Sequence, residues 1–116
     1  MKMWLLGILL MAPVAVRADQ ADRLERRGER MERQGERREA RGEHLQQKAA
    51  KKRARADQER AEGHDAAANA LDRQANREDR RGERMERQGE RRQHRGERLE
   101  KRGEALQNGQ PAAPAQ

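Results

Sequence analysis

Residues 26–38 read RRGERMERQGERR, and residues 80–92 read RRGERMERQGERR again. Thirteen identities at an offset of 54 mark an internal duplication, and a shorter beat runs inside each copy. Glycines stand at 28, 35 and 42 in the first copy and at 82, 89, 96 and 103 in the second, always seven apart. Large side chains keep the same interval, as Leu24, Met31, Arg38 and Leu45, then Met85, Arg92, Leu99 and Leu106. With the glycines at heptad position a and the large residues at d, the 3-4 spacing is that of a coiled-coil seam. The a stripe continues through Ala49, Ala56 and Gly63 from the first arm, and backwards through Ala75, Ala68 and Ala61 from the second.

Glycine inside a helix costs about 1 kcal/mol against alanine. Seven of them on one stripe make sense if a neighbouring backbone or a bulky side chain must approach closely; the alternative is a duplicated unit that copied its glycines without structural purpose. The break between the arms is legible. Gly63-His64-Asp65 precedes three alanines; Gly63 suits the left-handed residue after a helix end and Asp65 an N-cap. A chain folding back between 63 and 64 would set Leu24 opposite Gly103, Gly28 opposite Leu99, Met31 opposite Gly96, Gly35 opposite Arg92, Arg38 opposite Gly89, Gly42 opposite Met85, Leu45 opposite Gly82 and Ala56 opposite Leu71. Each large residue then meets a small one.

The predicted fold is all-α: an antiparallel two-helix hairpin, coiled-coil-like with a Gly/Ala stripe, marginally stable, with partial disorder as its competitor. The predicted organisation is a signal peptide over 1–18, a first arm over 19–62, a turn at 63–65, a second arm over 66–107 and a disordered tail over 108–116. Lys2 followed by an apolar run to Val16 and Val16-Arg17-Ala18 supports the signal peptide. The run is shorter than the ~20 apolar residues of a membrane span. No span is expected after cleavage, and retention as an anchor is the alternative. Loss of Lys2 and Arg17 lowers the net charge from +7 to +5.

Charge is sorted around the helical wheel. Positions b and e carry Glu25, Glu29, Glu32, Glu36, Glu39 and Glu43 in the first arm, and Glu83, Glu86, Glu90, Glu97, Glu100 and Glu104 in the second. Positions g and c carry Arg27, Arg30, Arg37 and Arg41, then Arg81, Arg84, Arg91, Arg95, Arg98 and Arg102. An antiparallel pair sets e beside e, acid against acid, whereas a parallel homodimer would match e with g. That dimer would also stack glycine on glycine and Arg38 on Arg38. Side-chain size outweighs exposed ion pairs worth about 0–1 kcal/mol each, so the hairpin is preferred.

The composition excludes most chemistry. The chain has no cysteine or tyrosine, and no serine or threonine, so the usual oxygen and sulfur nucleophiles are missing. No phosphate-cradling loop occurs. His44, His64 and His94 are far apart in sequence, without zinc-site spacing. No enzyme activity, cofactor or metal is expected.

The expected function is that of an exported, periplasmic or secreted structural protein that self-associates or binds a partner protein through these charged flanks. The seam residues expected to build it are Leu24, Gly28, Met31, Gly35, Arg38, Gly42, Leu45, Leu71, Gly82, Met85, Gly89, Arg92, Gly96, Leu99 and Gly103. The alternatives are an anionic-surface binder, with lipid headgroups or lipopolysaccharide as ligand, and a charge-rich stress or chaperone-like protein. Lys48, Lys51, Lys52, Arg53 and Arg55 form the richest basic run and are the candidate anion site. Export, interleaved glutamates and the lack of aromatic stacking platforms argue against nucleic acid.

Overall fold

The computed structural model describes residues 12–109 and consists of two helices, α1 (Ala12–Ala61) and α2 (Asp65–Gln107). Residues 1–11, the greater part of the predicted signal, and 110–116, most of the predicted tail, lie outside the described residues. From residue 17 onward the chain holds no valine, isoleucine, threonine, phenylalanine, tyrosine or tryptophan. What remains is dominated by Arg, Glu, Gln, Ala, Leu and Met, the strong helix formers. α1 starts seven residues before the arm predicted from position 19, and it runs through that boundary without interruption.

The fold-back is tight. Gly63 has φ +84°, His64 N–H donates to Glu59 O at 2.8 Å, and Gly63 N–H donates to Arg60 O at 3.1 Å. These two bonds around a left-handed glycine close the last turn of α1 and satisfy carbonyls that a helix end would otherwise leave open. α2 begins at Asp65 itself. Its N-cap is His64, whose side chain makes no capping hydrogen bond, so Asp65 is the first helical residue and not the cap. Its carboxylate still sits in the first turn, where the helix dipole favours negative charge.

The helices pack along their whole shared length as an antiparallel hairpin, only 21 by 16 Å in its two shorter dimensions. At about 1.5 Å per residue α2 alone spans ~65 Å. Among the described residues twelve positions are buried, and all are glycine or alanine: Ala21, Gly28, Gly35, Gly42, Ala49 and Ala56 in α1, and Ala68, Ala75, Gly82, Gly89, Gly96 and Gly103 in α2. No large side chain is fully buried among the described residues.

The packing differs from the predicted pairing in one respect. Gly28 faces Gly96, Gly35 faces Gly89 and Gly42 faces Gly82, backbone against backbone. A Cβ added at Gly35 would lie 2.7 Å from Gly89 O and 2.6 Å from Gln93 Cγ. The addition at Gly89 would lie 2.8 Å from Gly35 O and 2.7 Å from Glu39 Cγ. The glycines therefore meet glycines and the stems of the e-position side chains, not the large d residues. The hydrogen standing in for each Cβ points at the opposing carbonyl, a reciprocal Cα–H···O arrangement worth about 0.5–1 kcal/mol per contact.

The reason is angular. At 100° per residue d lies 60° to one side of a, and e 40° to the other. Once both helices present a bare a stripe, the closest approach is at a, with d and e flanking it. A conventional a/d seam would instead be centred between a and d. The same register places Ala49 against Ala75 and Ala56 against Ala68, so the seam passes from alanine near the turn to glycine farther out.

Candidate interaction surface

Two flanks run beside the buried stripe. On one lie the d residues. Leu24, Met31, Leu45, Leu71, Met85, Leu99 and Leu106 are all half-buried there. Arg38 and Arg92 interrupt the row and are also half-buried. The Nη1 of Arg38 donates to Gln88 Oε1, and that of Arg92 to Gln34 Oε1. The duplicated sequence thus produces the same cross-helix bond twice, once in each direction. Closer to the turn the row continues with Lys52, whose Nζ donates to Glu78 Oε1 at 2.7 Å and to Gln74 Oε1 at 3.2 Å. That hydrogen bond, with the positive charges of Lys52 and Lys48, holds the Glu78 carboxyl below the ordinary range despite some desolvation.

On the other flank the e residues of the two helices meet in pairs. Gln107 Nε2 donates to Glu25 Oε1 at 2.8 Å, Gln93 Nε2 to Glu39 Oε2 at 2.9 Å, and Gln46 Nε2 to Glu86 Oε2 at 2.9 Å. Nearer the turn Arg53 Nη2 donates to Asp79 Oδ2 at 2.8 Å, and Arg60 Nη2 to Asp72 Oδ2 at 2.6 Å. The Asp72 bond and charge raise the Arg60 pKa further, so its guanidinium stays charged. The acid-against-acid clash expected from the wheel is therefore confined to one layer, Glu32 with Glu100. There desolvation, then the charges of Glu32, Glu29, Glu104 and Glu25, push the Glu100 carboxyl upward.

Single glutamines supply this relief, at positions where the repeat would otherwise carry Glu. They are visible in the sequence, but their role needs the register. Two carboxylate oxygens, Glu39 Oε1 and Glu78 Oε2, are buried without a hydrogen-bond partner.

Outside these layers lie two broad charged faces. The b glutamates Glu29, Glu36, Glu43, Glu83, Glu90, Glu97 and Glu104 are exposed on the e side. The c and g arginines Arg27, Arg30, Arg37, Arg41, Arg81, Arg84, Arg91, Arg95, Arg98 and Arg102 are exposed on the d side. Two of the glutamates are reached by outward-facing arginines one turn away, Arg33 with Glu29 at 2.9 Å and Arg87 with Glu83 at 3.6 Å. None of the ten arginines makes an ion pair with a described residue. A surface groove of about 820 Å³ beside Met31 is lined by Arg91, Arg92, Arg95 and Arg98, with His94 and Glu97.

The five residues of the basic run do not converge. Lys52 and Arg53 are committed to Glu78 and Asp79 on opposite flanks. Arg55 lies 3.9 Å from Glu59, while Lys48 and Lys51 are exposed on the d side. One cluster is not visible in the sequence. The turn brings Glu59, Glu62 and His64 together, with ligand-type atoms within 4.8 Å of one another and His64 Nδ1 3.1 Å from Glu59 Oε2. Spacing among histidines alone could not reveal it, because two carboxylates complete it.

Among the described residues no helix is long and apolar enough to cross a membrane. No protein-family model, curated protein or solved structure matches the chain.

Proposed function

We propose that the chain is an exported structural protein of the cell envelope, a thin helical rod that associates with itself or a partner protein through its charged faces. The observation that carries the reading is the separation of exposed b glutamates from exposed c and g arginines onto opposite sides of one hairpin. A rod two helices thick has no interior to hold a substrate, so contact through its sides is what the shape offers. The apolar start of the sequence, with Lys2 before it and Val16-Arg17-Ala18 after it, supports export.

The test is the mass of purified protein as a function of salt. Charged-face contacts are screened with a Debye length of about 10 Å at 0.1 M. Assembly at low salt that dissolves at high salt supports the reading, and a monomer at every salt contradicts self-association. The arginine-lined groove beside Met31 favours a second reading, an anionic surface as partner. Arginine suits it, since its guanidinium pairs bidentately with phosphate. Sedimentation with vesicles containing anionic lipid, against neutral vesicles, tests that reading separately.

A further inference from the structure

Charge is not distributed evenly along the rod. Among the described residues every ion pair between the two helices involves residues 52–79: Lys52 with Glu78, Arg53 with Asp79 and Arg60 with Asp72. This turn-side stem pairs three of its cations with acids of the opposite helix. Its b positions are Ala50, Asp57, Asn69 and Asn76, so the row of b-position acids lapses there to a single aspartate. Farther from the turn the pairs between helices are Arg with Gln or Gln with Glu, and the b glutamates lie on the opposite side from the c and g arginines.

Both faces of this outer segment derive from the same heptad, so both repeat at about 10.5 Å along the rod. The row of b glutamates on one copy therefore has the same spacing as the row of arginines on another. We infer that the outer segment is a head-to-tail docking surface for a second copy of this chain, the acidic face of one hairpin lying on the basic face of the next. The inference rests on the self-association proposed above and specifies its partner, polarity and extent. Because the contact joins two different surfaces, it leaves a free acidic face at one end and a free basic face at the other, and it propagates. The turn-side stem takes no part, since it offers no acidic row for Lys51 and Arg55 to meet.

Two variants test the polarity. One carries Glu36→Gln, Glu43→Gln, Glu90→Gln and Glu97→Gln, which removes four of the seven glutamates of the acidic face. The other carries Arg37→Gln, Arg84→Gln, Arg91→Gln and Arg98→Gln, which removes four of the ten arginines of the basic face. All eight positions are exposed, and circular dichroism checks that each variant remains helical. At low salt each alone is expected to self-associate at least tenfold more weakly than the parent protein. A mixture is expected to give a species of twice the monomer mass and to stop there, because only one intact acidic face and one intact basic face remain.

Mixtures that stay monomeric, while the parent protein assembles, overturn the head-to-tail contact and leave salt-dependent self-association standing. A parent protein that never assembles removes both. A third variant, Lys51→Gln with Arg55→Gln, is expected to assemble like the parent, and a tenfold loss would overturn the exclusion of the stem. If a four-site variant loses its helicity, the pairs Glu36→Gln with Glu90→Gln and Arg37→Gln with Arg91→Gln give the same readout with smaller effects.

Discussion

Glycine at position a is the residue on which the packing turns. In an isolated helix Gly35→Ala would stabilise by about 1 kcal/mol. In the hairpin the new Cβ lands 2.7 Å from Gly89 O, and a backbone carbonyl cannot swing aside as a side chain can. Overpacking of this kind costs about 1–3 kcal/mol, so the sign reverses. Gly35→Ala is expected to lower Tm, by about 4 °C for each 1 kcal/mol of net loss. Ala40→Gly, on the exposed side of the same helix, is also expected to lower it, through propensity alone. Thermal melts by circular dichroism check both, and a Gly35→Ala protein that melts higher would show that the backbones are not in contact.

Two carboxylates make a second prediction at this scale, with opposite signs. Glu100 has its pKa raised by desolvation and by Glu32, so the folded state holds that proton more tightly than the unfolded chain does. The resulting destabilisation is absent below the ordinary carboxyl value of 4.5 and complete above the raised one. Glu100→Gln should therefore raise Tm at pH 7, the more so because a glutamine there can donate to Glu32 as Gln93 donates to Glu39. The gain should shrink toward pH 4. Glu78 has its pKa lowered, chiefly by its hydrogen bond to Lys52, so its contribution is present above 4.5 and lost as pH falls through the lowered value. Glu78→Gln should lower Tm at pH 7, and the difference should close in acid. Melts across pH 3–7 for the two variants read both signs.

For the helices as elements, the duplication is enough to place the arms and the turn. Strong helix formers, a seven-residue interval and Gly63 before a run of alanines point to two helices and the fold-back, although α1 begins at Ala12, seven residues before the expected arm. Which face of each helix turns inward is less legible. The 3-4 spacing of Gly28, Met31 and Gly35 reads as an a/d seam, and spacing alone does not say that two bare glycine stripes draw the axes together at a. The cross-helix pairs depend on that rotation, so Gln93 with Glu39 and Arg53 with Asp79 are out of reach of the sequence. Their residues are plain in it; the contacts need the register.

The row of d residues gives the prediction at this scale. Arg38 and Arg92 break a half-buried strip of Leu and Met, and each is held only by a partly exposed hydrogen bond to glutamine. Replacing both with leucine makes the strip continuous. Two half-buried leucines contribute about 1 kcal/mol each, against roughly 0.5–1 kcal/mol for each hydrogen bond lost. The double variant Arg38→Leu, Arg92→Leu is expected to raise Tm modestly. A fall would mean that the arginines hold the register through Gln34 and Gln88.

At the scale of the whole molecule the protein is a rod with twelve buried positions among the described residues and nothing larger than alanine at any of them. So small a core leaves little margin, and a neighbouring copy or partner adds stability by mass action. Its radius of gyration is 26.7 Å, not far from the ~35 Å expected of an unfolded chain this long. Overall size is therefore a poor judge of the fold, and a distance between the arms is a better one.

The most direct measurement places spin labels at Arg33→Cys and His94→Cys, two exposed positions level with each other on opposite helices of a chain that has no native cysteine. Pulsed dipolar spectroscopy is run at high salt, where stacking is suppressed. The antiparallel hairpin predicts one narrow distribution near ~20–25 Å, or two helix diameters, and no short distance from the protein labelled at position 33 alone. A broad distribution from the double label would contradict the packed hairpin. A short distance from the single label would show a parallel pair of chains instead.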